Sequence, residues 1–139
     1  MNPDLMRLAQ EIAERLRSRG ERVAVAESSA GGLISSALLA VPGASRYFRG
    51  GAILYTLQAR QSLVGITKEE MDTAGIRSSS EPYAALLAER IRDQHGADWG
   101  LAETGAAGPT GNSYGDAAGH TCIAVDGPAR SVTTLETGD

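Results

Sequence analysis

Only one cysteine, Cys122, occurs in the 139 residues, so no disulfide can close within the chain. That usage fits a reducing compartment and makes the cytoplasm the expected location. Lysine is equally scarce: Lys68 stands alone against twelve arginines. Arginine grips phosphate or carboxylate with a planar fork but keeps its proton near neutral pH, which leaves almost no amine to act as a base. Aromatic residues make up 4% of the chain and the net charge is −4. Neither the stacking surfaces nor the basic face of a nucleic-acid-binding protein is there, and no nucleic-acid partner is expected. No apolar run approaches the roughly 20 residues of a membrane helix. The opening Met1-Asn2-Pro3-Asp4-Leu5 lacks the basic start and apolar block of a secretory signal. No membrane partner is expected. The two histidines, His95 and His120, stand apart, and no Asp/Glu/His cluster has metal-ligand spacing, so no metal is expected.

What remains is the composition of one globular domain, 42% hydrophobic and 22% charged. Residues 3–19 carry an apolar stripe of Leu5, Leu8, Ile12 and Leu16 with Met6, Ala9 and Ala13; Asn2 suits the N-cap and Gly20 the end. A short buried strand is predicted at 23–26 and an apolar helix at 32–40, closed by the turn at 41–45. A second strand at 52–56 precedes a short helix at 57–64. Thr67-Lys68-Glu69-Glu70 has the form of a capping box for a helix that Gly75 closes. Ser79 or Ser80 can cap a helix over about 82–94, with Gly96 as terminator. A third strand at 99–104 runs into the glycine-rich stretch 105–115. Strands at 120–125 and 131–135 around Asp126-Gly127-Pro128 read as an antiparallel hairpin. Strands alternating with helices and ending in a hairpin predict a mixed sheet with helices on both faces.

Two stretches stand out as sites for chemistry. Val23-Ala24-Val25-Ala26 leads through Glu27-Ser28-Ser29-Ala30 to Gly31-Gly32 at a predicted helix start. Ser28 there lies where backbone N–H groups and the positive end of the helix dipole converge, a place to hold an anion or a developing oxyanion. The plainer alternative is an N-cap serine. Glu27 is either a proton acceptor for Ser28 or a residue that caps the turn or pairs with an arginine. The second stretch, Thr104-Gly105-Ala106-Ala107-Gly108-Pro109 onward, leaves another strand end, where α/β sheets bind ligands. It has neither the Gly-Lys-Ser/Thr ending of a phosphate-binding loop nor dinucleotide-fingerprint spacing, and an ordinary surface turn is its alternative. Tyr55 sits at a strand end and Arg60 one helical turn later. His120 is read as a packed or solvent-facing strand residue and Cys122 as a small core residue.

Together, Glu27-Ser28-Ser29-Ala30-Gly31-Gly32, Pro42-Gly43-Ala44-Ser45, Phe48-Arg49-Gly50-Gly51, Tyr55, Leu63-Val64-Gly65-Ile66 and Thr104-Gly105-Ala106-Ala107-Gly108-Pro109 resemble the CinA C-terminal domain family in order and spacing over nearly the whole chain. The best-known activity of that family is nicotinamide-nucleotide amidohydrolase. The resemblance implies a three-layer α/β/α sandwich with a mixed sheet. It implies deamidation of a small-molecule nucleotide, nicotinamide mononucleotide, with no metal or organic cofactor, and a homodimer as an assembly the family often adopts. It makes Ser28 the nucleophile, with Tyr55 beside it. Thr104, Gly105, Ala107 and Gly108 then line the substrate pocket with Glu27, Ser29, Gly31 and Gly32.

Three departures bear on activity. The family run Ser-Cys-Thr-Gly-Gly appears as Ser28-Ser29-Ala30-Gly31-Gly32, so Ala30 lacks a hydroxyl. Arg60 stands where active members carry a lysine, which moves weight toward a module that binds a pyridine nucleotide without turning it over. Thr137-Gly138-Asp139 falls about where the family continues into an arginine and a last helix, whose loss is expected to leave an apolar sheet face uncovered. A dimerisation or scaffold domain with a vestigial pocket is the third reading.

Overall fold

The computed structural model describes residues 1–106, 111 and 115–138. Five strands form one sheet in the order β2-β1-β3-β4-β5. Strand β1 (Val23–Glu27) pairs in parallel with β2 (Phe48–Ile53) on one side and with β3 (Trp99–Ala106) on the other. The antiparallel hairpin of β4 (His120–Asp126) and β5 (Ser131–Glu136) then extends the sheet from β3. All five residues of β1 are buried, as expected for a central parallel strand covered on both faces.

The strand pleat sorts β1 between two cores. Val23 and Val25 face α1 (Pro3–Arg19) and α2 (Leu33–Leu39), packing with Ala9, Ala13, Leu16, Ala37, Leu38 and Tyr47. Ala24 and Ala26 face the other way, into a cluster with Val64 of α3 (Leu57–Val64), Met71 of α4 (Lys68–Ala74) and Leu87, Ala88 and Ile91 of α5 (Glu81–His95). The result is the expected three-layer arrangement around a mixed sheet. No helix among the described residues is long and apolar enough to cross a membrane. Beside α1, Ile12, Leu16, Trp99, Leu101 and Val125 line an open apolar groove of about 270 Å³.

Local sequence explains the element ends. Asn2 Oδ1 accepts from Asp4 N at 2.7 Å, and Gly20 closes α1 in the left-handed region at φ 64°. Thr56, Thr67 and Ser80 cap α3, α4 and α5 through their hydroxyls. The third strand runs two residues beyond the predicted end, because β4 continues to pair with it through Ala106.

Alanines facing α5 let the helix sit very close to the sheet. A Cβ built on Gly100 would lie 1.9 Å from the Ala88 carbonyl oxygen. That oxygen is helix backbone and cannot turn aside. Gly100→Ala is therefore expected to lower the unfolding free energy by about 2 kcal/mol or more, the scale of overpacking a tight core. Urea unfolding of the variant against the parent protein checks this.

Candidate functional site

The turn after β1 is built by two buried carboxylates. Glu27, 1% exposed, accepts from the backbone N–H groups of Gly32 (3.2 Å), Ile34 (2.9 Å) and Ser35 (2.9 Å). Glu103, 3% exposed, reaches over from β3. Its Oε1 accepts from Ser28 N and Ala30 N, each at 2.9 Å, and its Oε2 accepts from the Ser29 hydroxyl. Gly31 and Gly32, at φ 65° and 100°, take the left-handed conformations that bring the chain round into α2.

This geometry corrects part of the sequence reading. The N–H groups at the start of α2 are not open to an anion, because Glu27 already occupies them. Glu27 is thus the cap of the turn rather than a residue facing substrate, and its commitment to three donors removes it as a proton acceptor for Ser28. Ser29 is turned toward Glu103, and Gly31 and Gly32 serve the turn; none of the three lines the cavity that Ser28 faces. With capping done by the carboxylates, the Ser28 hydroxyl has no hydrogen-bond partner among the described residues.

That cavity, of about 410 Å³, opens at the carboxyl ends of the three parallel strands. Ser28 comes from the end of β1, Leu54 and Tyr55 follow β2, and Thr104 and Gly105 belong to β3. Arg60 enters from α3, while Ser78 and Ser79 close it from the segment leading into α5 and Tyr83 from the first turn of α5. The serine turn after β1 and the carboxyl end of β3 therefore meet at one cavity. Ala107 and Gly108 lie outside the described residues. Tyr55, 78% exposed, stands at the rim. A Cβ on Gly105 would lie 2.2 Å from the His120 carbonyl oxygen, so the close approach of β3 and β4 already requires a glycine there.

Arg60 carries the charge of the site. It is 3% exposed, its guanidinium lies 5.6 Å from the centroid of the Tyr83 ring, and one of its terminal nitrogens donates to Ser78 Oγ at 3.3 Å. Its buried Nε has no hydrogen-bond partner, and no carboxylate among the described residues pairs with it. A buried cation without an anion is costly unless something supplies one, which makes the cavity suited to a phosphate or carboxylate ligand.

Sequence reasoning missed Glu103, Ser78, Ser79 and Tyr83. Glu103 had a signal, a lone acid inside an otherwise apolar strand, but its target lies 75 residues away. Ser79 reads from the sequence only as one of two candidate helix caps, and Ser80 fills that role; nothing in the sequence singles out Ser78.

The two carboxylates differ in how they tolerate an amide. In Glu103→Gln the oxygen can keep both backbone donors while the NH₂ group turns to Ser29 Oγ. In Glu27→Gln the NH₂ group meets either Ser35 N–H or the Gly32 and Ile34 N–H groups, donor against donor. Glu27→Gln is expected to lose about 2–3 kcal/mol of stability and Glu103→Gln about 1 kcal/mol or less, measured by equilibrium urea unfolding.

Comparison with known proteins agrees with this architecture. Residues 5–138 match the family model of the CinA C-terminal domain. A CinA-like protein of Prochlorococcus marinus (strain MIT 9313) is 43% identical over 121 residues, 87% of this chain and 28% of that protein. One of Gloeobacter violaceus (strain ATCC 29082 / PCC 7421) is 41% identical over 124 residues, 89% of this chain and 29% of that protein. The chain thus spans less than a third of the length of these curated relatives. Among solved structures, a competence-damaged protein (CinA) superfamily protein from Enterobacter cloacae superposes with a TM-score of 0.87 at 31% identity, covering 97% of this chain and 80% of that one. A competence or damage-inducible protein from Enterobacter asburiae superposes with a TM-score of 0.85 at 30% identity, covering 97% of this chain and 85% of that one. The strand order, the serine turn and the sequence matches converge: the chain belongs to the CinA C-terminal domain family.

Proposed function

We propose that the chain is a nicotinamide-nucleotide amidohydrolase-type protein, which hydrolyses the carboxamide of nicotinamide mononucleotide to nicotinic acid mononucleotide and ammonia. The observation that carries this reading is the convergence of Ser28, Tyr55, Arg60 and Thr104 on one cavity, with the Ser28 hydroxyl unengaged and Arg60 lacking an anionic partner. A volume of about 410 Å³ lies within the range of small-molecule sites. Ser28 Oγ attacks the carboxamide carbon, its proton passes to the departing nitrogen, and ammonia leaves an ester on the serine. Water then cleaves the ester, releasing the acid and restoring the hydroxyl. Arg60 holds the phosphate or the oxygen on which negative charge develops.

A second reading has its own support. Among the described lining residues there is no carboxylate, imidazole or amine; the proton-bearing groups are hydroxyls, phenols and a guanidinium. General-base help contributes about 10² to 10⁴-fold, so a cavity without it binds its ligand and turns it over slowly or not at all. On this reading the protein is a pyridine-nucleotide-binding module.

Ammonia release from nicotinamide mononucleotide and binding by calorimetry, measured on the full chain, separate the two. Turnover abolished by Ser28→Ala with binding retained supports the hydrolase. Binding without turnover supports the module, and absence of both overturns the ligand assignment. Arg60→Lys places an amine where burial lowers its pKa, and it is expected to raise turnover roughly tenfold or more. An unchanged rate in a folded variant counts against a missing base at that position.

A further inference from the structure

Behind the cavity wall stands a buried histidine that the proposed reaction does not use. His120, 6% exposed, opens β4. Its Nδ1 lies 2.5 Å from Glu136 Oε1 on β5, and its Nε2 lies 2.8 Å from the carbonyl oxygen of Ser79. Both partners are acceptors. A neutral imidazole has one N–H and satisfies one of them; only the imidazolium donates to both.

Ser79 is not an ordinary residue. It lines the cavity, and it is the one non-glycine residue among those described with a left-handed backbone, at φ 57°. Such a conformation persists where the surroundings hold it. The holding contacts are the His120 bond to its carbonyl, a 3.4 Å bond from its hydroxyl to the Gly105 carbonyl, and the Cys122 thiol 3.7 Å from the same Ser79 oxygen. Its neighbour Ser78 accepts from Arg60 at 3.3 Å, and its other neighbour, Ser80, caps α5 ahead of Tyr83, whose ring lies beneath the guanidinium.

We propose that His120 is a positioning residue for the cavity: held as an imidazolium between Glu136 and the Ser79 carbonyl, it fixes the Ser78–Ser79 wall and through it the place of the Arg60 guanidinium. This deepens the reading of the cavity as an anion-binding site centred on Arg60, and rests on it.

The surroundings favour the charged ring. The Glu136 hydrogen bond, the Ser79 carbonyl and the nearby Asp116 raise the His120 pKa above its ordinary 6.5 against the opposing effect of burial. Asp116 Oδ1 stands 3.6 Å from Nε2, and the carboxylate accepts from Arg77 through both oxygens, Oδ2 at 2.9 Å and Oδ1 at 3.1 Å. From β4, Cys122 lies 3.7 Å from Nε2, and burial pushes its thiol up, so it stays neutral. From α5, Glu81 is engaged with Thr134 on β5. As the pH rises through the His120 transition, the proton facing the carboxylate is kept because that acceptor is charged, and Nε2 gives up its own. The Ser79 carbonyl then faces a lone pair. A raised folded-state pKa means the contact is complete below pH 6.5 and is lost above the shifted value.

Nitrogen-15 NMR on the ligand-free full chain tests this directly. Both His120 ring nitrogens are expected to carry protons at pH 6, with a midpoint above 6.5, and the Arg60 Nε–H resonance is expected to move with the same midpoint. His120→Gln sets an untitrated amide donor where Nε2 stood, whereas His120→Asn keeps only the donor toward Glu136. Binding of nicotinamide mononucleotide to the parent chain is expected to weaken about tenfold across the transition. The Gln variant should bind with no such step, and the Asn variant weakly throughout. A His120 midpoint at or below 6.5, an Arg60 resonance indifferent to it, or Gln and Asn variants that behave alike would overturn the proposal. Failure of the parent chain to bind the nucleotide would instead overturn the ligand assignment, since the ligand-free resonances report the coupling on their own.

Discussion

Where β1 ends, the chain must turn into α2, and it presents five backbone N–H groups that no helix or strand bond satisfies. Two carboxylates accept all five: Glu27 those of Gly32, Ile34 and Ser35, and Glu103 those of Ser28 and Ala30. Buried unsatisfied donors cost about 1–3 kcal/mol each, so this pairing decides whether the turn can be buried at all. It also decides what Ser28 does. A serine at this place would ordinarily spend its hydroxyl on a helix N-terminus; here that work is done by Glu27, and the hydroxyl is left facing the cavity.

The consequence is a division of charge across the site. The negative groups are locked into the backbone beneath the turn, while the positive group, Arg60, is exposed only to the cavity and to neutral partners. The two sets do not neutralise each other: each carboxylate has its own donors, and the guanidinium keeps an unpartnered Nε. Electrostatic demand in the cavity is therefore for an anion. That demand persists whichever of the two functional readings holds, since catalysis and simple binding share the same recognition of negative charge.

The elements of the fold were legible where caps and periodicity are local. Asn2, Thr67 and Gly75 mark helix ends within a few residues of where the structure places them. Of the expected apolar stripe of α1, Leu5, Met6, Ala9, Ala13 and Leu16 pack into the core while Leu8 and Ile12 stay exposed. The cavity was legible only through the pairing of two motifs, since nothing local in Ser28 or Thr104 announces that β1 and β3 are neighbours. What the chain did not disclose is the direction of buried polar side chains. Glu27 beside Ser28 reads equally as base or cap, and only the position of α2 above it chooses the cap. Glu103 and Ser79 act across 75 and 41 residues of chain, on Ser28 and with His120, distances over which spacing carries no information.

A difference in strand length ties these features together. Strand β1 stops pairing with β3 at Ala102, yet β3 continues to Ala106 because β4 runs antiparallel along its other side. The residues beyond the end of β1 thus stand on a ledge that only the hairpin supports. Successive side chains on a strand point to opposite faces, so Glu103 reaches the turn above β1 while Thr104 lines the cavity. A purely parallel sheet of the same strands would end level with β1 and offer neither. The antiparallel hairpin, which bears none of the residues first expected to act, is in this sense what builds the back of the site. Its anchoring histidine meets the one strained serine in the cavity wall for the same reason: β4 begins where β3 has passed beyond its parallel partner.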